Sequence, residues 1–117
     1  MVDLTPRVEA AVKRSGIKEG IAFVSSEHTT GALILNEYEE LLLEDLKTLL
    51  RRLAPSDGDY MHRENGFAHL RSMLLSPDKT IPVHAGRLGL GRWQSLYWVE
   101  MDKLSRRRII EATVIGE

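Results

Sequence analysis

The sequence predicts an α+β domain that spans residues 1–117 as a single unit. Three observations lead to this class. One long amphipathic helical pattern lies near the middle of the chain, strand-like apolar runs lie on both sides of it, and no strand–helix–strand unit repeats. A chain of 117 residues, of which 43% are hydrophobic, suits one core, and no linker or low-complexity tract divides it.

The first part of the chain predicts a helix followed by two short strands. Thr5 is a good N-cap, Pro6 fits the first helical position, and Gly16 is a typical helix end. The apolar runs 21–26 and 32–35 are short and rich in residues that favour strands. The polar connection between these runs would place three residues at the rim of a sheet: His28, Thr29 and Thr30.

The most regular helical pattern covers residues 39–53. Its leucines recur every three or four positions and predict a buried stripe made of Leu42, Leu46, Leu49, Leu50 and Leu53. His62 follows in a predicted loop, and a short helix capped by Asn65 runs to Leu74. On one unbroken helix His62 and His69 would lie roughly 10 Å apart along the axis. The break at Asn65 lets the chain fold His62 back toward His69.

The C-terminal part of the chain predicts strands at residues 80–84, 93–101 and 107–115, with a glycine-rich turn between the first two. We predict that the last two strands form a hairpin with its turn near Asp102–Ser105. The basic run Arg106–Arg108 is interpreted as the exposed start of the last strand.

The composition argues against several classes of binding partner. The formal net charge of -1 and the pI near 6.4 give no support for a nucleic-acid or anionic-membrane partner, since such proteins usually carry a clear basic excess. No apolar run has the length of a membrane span. The absence of cysteine excludes disulfides, thiolate metal sites and a cysteine nucleophile, and it fits a cytoplasmic protein.

Three of the four histidines are candidates for chemistry: His28, His62 and His69. Neutral imidazole binds zinc and similar ions, and it changes charge near neutral pH. From the residues alone, a histidine at a strand end such as His28 is more often a hydrogen-bonded structural residue than a ligand. We interpret the fourth histidine, His84, as structural or exposed.

An ordered series of motifs extends through nearly the whole chain: His28-Thr29-Thr30, Asn36-Glu37, Asp57-Gly58-Asp59-Tyr60-x-His62, Ala68-His69-Leu70-Arg71, Ile81-Pro82-Val83, Gly89-x-Gly91-x-Trp93-Gln94 and Glu100. This series resembles the YjbQ-like family. The resemblance implies a sandwich-like subunit with a mixed or antiparallel sheet, assembly as a homotrimer, a metal site and, for some bacterial members, thiamine-phosphate synthase activity. Members usually begin with a further strand, which we expect to be missing here.

The resemblance also assigns site residues. The expected metal ligands are His28, His62 and His69. Three imidazoles with one open position are typical of a catalytic zinc site, so zinc is the favoured ion and magnesium the alternative. The expected catalytic or orienting residues are Asn36, Glu37, Asn65 and Glu100. Helix capping explains Glu37 and Asn65 equally well.

A second group is expected to bind the ligand: Thr29, Thr30, Arg71, Arg92, Trp93 and Gln94. Guanidinium groups bind phosphate in a bidentate manner, and an indole ring offers a stacking face. Exposed arginines and a core tryptophan are the structural alternatives. The resulting expectation is a metal-dependent enzyme acting on a phosphorylated small molecule; a non-catalytic trimeric protein that binds a metal or metabolite is the alternative.

Overall fold

The computed structural model describes residues 1–104 and 106–117, and this part of the chain forms three helices and two antiparallel sheets. The elements in chain order are β1 (Val2–Asp3), α1 (Thr5–Ser15), β2 (Gly20–Ser26), β3 (Gly31–Asn36), α2 (Glu40–Leu53), α3 (Gly66–Met73), β4 (Asp78–His84), β5 (Arg87–Leu88), β6 (Ser95–Glu100) and β7 (Ile110–Gly116). The strand orders are β1-β6-β3 and β5-β4-β2-β7. The predicted α+β, sandwich-like class is confirmed.

Strand β6 is the central strand of the first sheet and is covered on both faces. Leu96 and Trp98 pack in a core shared with α1 and the second sheet, while Tyr97 and Val99 pack in a core shared with α2 and α3. Successive side chains of a strand point to opposite faces, so this one apolar run serves both cores. The first sheet is therefore a middle layer between the second sheet and the helices α2 and α3.

Helix α1 begins and ends near the predicted positions, but Thr5 is not its N-cap. The Thr5 hydroxyl accepts a hydrogen bond from the Leu96 backbone N–H at 2.8 Å. The Thr5 backbone N–H donates to Asp3 Oδ1 at 3.0 Å. The Thr5 hydroxyl instead bonds to the central strand, and this bond attaches the helix to the sheet. Gly16 ends α1 in the left-handed region, with φ of 72°, as predicted.

The N-terminal residues form a short edge strand. Val2 pairs with Trp98 and Asp3 pairs with Tyr97 in an antiparallel ladder. The expectation that a further N-terminal strand of the family is missing stays a prediction, because the contacts of these two residues do not bear on it.

The predicted hairpin between the last two strands is wrong. β6 pairs with β3 and β1, whereas β7 pairs with β2 in the other sheet. The chain after β6 crosses between the sheets, and the Met101 backbone N–H donates to the Thr30 carbonyl at 3.1 Å on the way. The hydrophobic pattern predicts where strands lie but not which strands pair. Strand β6 lies in the middle layer because both its faces are apolar. Of the predicted turn, Ser105 lies outside the described residues.

The prediction of a buried leucine stripe on α2 is correct for Leu50 and in part for Leu46, which is half-buried against the second core. Leu50 is buried, whereas Leu42, Leu49 and Leu53 are exposed. Helix α2 contributes Leu50 to the second core and packs Leu46 against it, while the other three leucines of the stripe stay exposed in the single chain. Within the described part of the chain, no helix combines the length and apolar character needed to cross a bilayer.

Candidate histidine site

His62 and His69 lie side by side. The centroids of their rings are 4.9 Å apart and the rings meet edge to face. His62 belongs to the loop before α3 and His69 to α3 itself, so the break before Gly66 brings the two rings together. The backbone carbonyl of His62 accepts from the Gly66 N–H at 3.1 Å, which closes this turn.

A chain of hydrogen bonds orients His62. The Asn65 amide nitrogen donates to Asp102 Oδ2 at 2.9 Å, and Asn65 Oδ1 lies 3.0 Å from His62 Nε2. A carboxylate can only accept, so the amide must point its nitrogen at Asp102 and its oxygen at His62. His62 Nε2 therefore carries a proton, and in the neutral ring the lone pair lies on Nδ1. Asn65 is the N-cap residue of α3, as predicted, but its side chain makes no capping hydrogen bond and is used for His62 and Asp102 instead.

His28 has a different set of partners. Its Nε2 accepts a hydrogen bond from the Ile109 backbone N–H at 2.9 Å, and its ring packs edge-on against Trp98 with 6.0 Å between centroids. Among residues 1–104 and 106–117, no three His, Cys, Asp or Glu side chains are placed to hold one metal ion. The structure thus brings together His62 and His69, but His28 does not complete a three-ligand group with them in this subunit.

Glu100 and Thr30 bind the same arginine. Arg108 Nε donates to Glu100 Oε1 at 2.6 Å, its Nη2 donates to Glu100 Oε2, and the same Nη2 donates to the Thr30 hydroxyl at 2.8 Å. The guanidinium also lies over the Trp98 ring, 5.5 Å from its centroid. Both oxygens of Glu100 are occupied, so within this chain Glu100 acts as a structural ion-pair partner. The prediction that Arg108 is an exposed strand residue is wrong.

The carboxylates beside the histidines are held in their charged form. Burial would raise the pKa of Glu100, but hydrogen bonds from Arg108 and from the Asp102 backbone N–H outweigh it, and the pKa is lowered. The Asn65 amide lowers the pKa of Asp102, and the charge of Arg106 adds to this effect. Asp102 therefore remains an anion and a fixed acceptor for Asn65.

The expected ligand-binding residues do not form one cluster. The Arg92 guanidinium lies over the Trp93 ring, 4.9 Å from its centroid, on an exposed turn where Gln94 Oε1 accepts from the Gly91 N–H at 2.8 Å. No described hydrogen bond or ring contact joins this turn to the histidine pair. Arg71 instead donates from Nε to the Ala54 carbonyl at 2.8 Å, and burial lowers its pKa.

The remaining candidates have local roles or no described partner. Asn36 Oδ1 accepts from the backbone N–H of Glu37 at 2.8 Å. Helix α2 is capped by Glu39 rather than Glu37, because Glu39 Oε2 accepts from the Leu42 N–H at 2.6 Å. Thr29 is exposed. His84 is exposed and its Nδ1 lies 2.9 Å from Glu19 Oε2, in agreement with its interpretation as structural or exposed.

The whole chain, residues 1–117, matches the family model described as UPF0047 protein YjbQ-like. The chain belongs to the YjbQ-like family. A UPF0047 protein of Methanothermobacter thermautotrophicus is 39% identical over 112 residues, which cover 93% of this chain and 78% of that protein. A UPF0047 protein of Archaeoglobus fulgidus is 37% identical, covering 94% of this chain and 87% of that protein.

Two solved structures have the same fold as this chain. A YbjQ-like protein of unknown function from Sulfolobus solfataricus superposes with a TM-score of 0.95 at 35% identity, covering 99% of this chain and 86% of that one. A hypothetical protein from Aeropyrum pernix gives a TM-score of 0.94 at 36% identity, covering 99% of this chain and 88% of that one. The agreement extends over the whole subunit, including both sheets.

Sequence reasoning missed two residues that organise the YjbQ-like site, Asp102 and Arg108. Asp102 follows β6 and anchors Asn65, while Arg108 binds Glu100 and Thr30 from the segment that crosses between sheets. A signal for Arg108 was present, because a basic run opposite a buried acidic residue often marks an ion pair. No local pattern marks Asp102, since its partner lies 37 residues away.

Proposed function

We propose that this YjbQ-like chain is the subunit of a metal-dependent enzyme that acts on a phosphorylated small molecule. The observation that supports it is the chain Asp102–Asn65–His62, which fixes the imidazole tautomer with the lone pair on Nδ1, in a ring whose centroid lies 4.9 Å from that of His69. Residues that ligate metals through one ring nitrogen typically have the other nitrogen held in this way.

The donors available in one subunit fit a metal in part. His62 and His69 supply two imidazoles, and zinc usually has four ligands, so two more donors must come from water, the substrate or a neighbouring subunit. Imidazole donors favour zinc, whereas magnesium would require more oxygen ligands. Bound there, such an ion would supply Lewis-acid polarisation of a phosphate oxygen.

The specific reaction that we propose to test is thiamine-phosphate synthesis. In this reaction the carbon of a hydroxymethylpyrimidine pyrophosphate is transferred to the nitrogen of a thiazole phosphate, and pyrophosphate leaves. The residues of this chain would contribute by binding the negative charge that develops on the leaving group, for which cationic side chains are required. Arg71 is the cationic candidate on the same helix as His69.

We further propose that the active form is a homotrimer. The uncovered leucines of α2 give the single chain an exposed apolar face that a second copy would bury. A non-catalytic trimer that binds a metal or a metabolite is the second candidate. It is favoured by the occupied state of Glu100, whose two oxygens both bind Arg108 and leave no free general base there.

The test compares His62→Ala and His69→Ala with His84→Ala, a matched control in which an exposed histidine is removed. We expect both site variants to lose bound metal, measured per subunit by elemental analysis, and to lose turnover in a thiamine-phosphate assay, while His84→Ala keeps both. Metal loss with unchanged turnover would contradict a metal-dependent enzyme. Wild-type protein that binds metal but shows no turnover would leave the binding protein, and wild-type protein without stoichiometric metal would contradict the enzyme and the metal-binding form of the second candidate.

A further inference from the structure

A small pocket between α2, α3 and the chain after β6 collects basic side chains. Its volume is about 270 Å³, just below the range of roughly 300–1,000 Å³ that is typical of small-molecule sites, and so it suits a small ion or a compact group. The basic residues on its wall are Lys47, Arg51, Arg71 and Lys103.

Two of these cations meet on one aromatic ring. The Arg71 guanidinium carbon lies 5.0 Å and the Lys103 Nζ 5.6 Å from the centroid of Phe67. Each contact is favourable by itself, but like charges that converge repel one another unless an anion lies between them. Phe67, Arg71 and Lys103 all line the pocket, so both positive groups belong to its wall.

Arg71 also has an unused donor. Its Nε is bound to the Ala54 carbonyl, while its buried Nη2 has no hydrogen-bond partner among the described residues. A buried donor without a partner is costly, and a guanidinium matches the oxygens of phosphate in a bidentate manner. Arg71 lines the pocket, so its guanidinium is a candidate for binding an oxyanion there.

The acidic residues of the pocket do not neutralise these cations. Glu100 is paired with Arg108, and Asp102 is bound by Asn65 and Arg106. Lys47 pairs with Glu44 on the surface. Arg51, Arg71 and Lys103 have no ion-pair partner in the described part of the chain, so the pocket keeps a positive excess in a protein whose formal net charge is -1.

We propose that this pocket binds a phosphate group, with Arg51, Arg71 and Lys103 as its cationic contacts. The inference deepens the proposed function, on which it rests for the nature of the molecule that carries the phosphate. Asp102 links the two regions, because it lines the pocket and also anchors the Asn65–His62 chain. The pocket would thus hold the phosphate end of the ligand next to the histidine pair.

The test measures binding of inorganic phosphate and of phenyl phosphate by calorimetry, in chloride buffer at one fixed ionic strength. The variants are Arg51→Gln and Lys103→Gln, and the matched control is Arg52→Gln, which removes the neighbouring charge on α2 outside the pocket. We expect each pocket variant to weaken binding by at least about 10-fold, as for the loss of one charge-assisted contact, and the control to change it by less than about 2-fold. Arg71→Lys, which keeps the charge but loses the fork, should weaken binding as well.

His62→Ala separates this pocket from the metal proposal. If the pocket binds phosphate directly, this variant loses metal but retains phosphate affinity, and tighter binding of phenyl phosphate than of inorganic phosphate would identify an ester as the ligand. If His62→Ala abolishes phosphate binding while Arg51→Gln and Lys103→Gln behave like Arg52→Gln, the pocket is overturned and the metal proposal stands. Absence of measurable binding to the wild type overturns the pocket as well.

Discussion

Arg108 is the residue through which the crossing segment is attached to the first sheet. Its guanidinium binds Glu100 on β6 and both the hydroxyl and carbonyl of Thr30 beside β3, while Ile109 binds His28. The side chain of Arg108 is only 10% exposed. A charge at this depth requires a partner, so the four contacts form one interdependent group.

We expect Glu100→Gln to lower the free energy of unfolding at neutral pH by about 2–3 kcal/mol, because Arg108 would keep its burial and lose its counter-charge. The value lies below that of a fully buried pair since Glu100 is 29% exposed. The pKa of Glu100 is lowered by folding, so its contribution is present above the ordinary carboxyl pKa and is lost as pH falls through the folded pKa. Urea unfolding at about pH 7, 5 and 3.5 should show the difference from wild type shrinking with acidity.

Glu44→Gln is the control for this experiment, because Glu44 belongs to an exposed pair with Lys47 at 3.0 Å. Such pairs contribute at most about 1 kcal/mol. A loss of equal size in the two variants, or a difference for Glu100→Gln that does not depend on pH, would show that the ion pair with Arg108 does not stabilise the fold.

At the scale of elements, periodicity was enough to locate helices and strands but not to pair the strands. The helix predicted over residues 39–53 corresponds to α2 (Glu40–Leu53), and the strand predicted over residues 80–84 corresponds to β4 (Asp78–His84). The incorrect prediction of a hairpin shows that periodicity does not determine which strands pair. Strands β6 and β7 follow one another in sequence, yet the contacts that separate them come from Thr30 and His28, some 80 residues before Arg108 and Ile109 in the chain.

The histidine pair was predictable in part for the same reason. The break at Asn65-Gly66 is a local signal, and it correctly places His62 near His69. The anchor of the pair, Asp102, is not local, and the position of His28 depends on where the crossing segment runs. Residues that meet through tertiary packing leave no periodic trace in the sequence.

Asn65, the N-cap residue of α3, is the basis of a prediction about the orientation of His62. Asn65→Ala removes the link between His62 and Asp102, which are both otherwise unchanged. We expect the free energy of unfolding to fall by about 1–2 kcal/mol, because His62 and Asp102 lose a hydrogen-bond partner. We also expect the affinity for zinc to fall by at least about 10-fold, because the imidazole is no longer oriented. Competition with a chromogenic chelator measures the affinity. Asn36→Ala is the matched control, since the Asn36 amide bonds only to the next backbone N–H; equal affinities in the two variants would refute an orienting role.

At the scale of the whole molecule, the chain is elongated, with extents of 50 × 27 × 20 Å, and most of an apolar stripe on α2 is exposed. The stripe consists of Leu42, Leu46, Leu49 and Leu53. Their spacing of four, three and four residues is the spacing of a helix–helix seam, in which leucines of one helix fit between those of another. Leu46 packs against the second core, whereas Leu42, Leu49 and Leu53 are left exposed and available to such a seam.

We expect Leu49→Glu to convert the proposed homotrimer into monomers. Leu49 is 51% exposed and Leu53 is 59% exposed in the single chain, so a carboxylate at position 49 should leave the subunit folded. In the assembly it would replace buried apolar contacts, each leucine contributing about 1.5–3 kcal/mol, with a charge that must be desolvated. Sedimentation equilibrium gives the mass, and circular dichroism gives the state of the fold.

Leu41→Glu is the control that makes this result specific, because Leu41 is 72% exposed on the same helix but lies outside the seam. It should sediment as the wild type does. If Leu49→Glu remains trimeric, the subunits contact one another through a different surface, and the leucine seam binds something other than a second copy of this chain. If it becomes monomeric and also loses its metal, the missing donor to the His62–His69 pair comes from the neighbouring subunit, because the variant changes no residue of the pair. Monomers that retain stoichiometric metal would instead assign the remaining ligand positions to water or substrate.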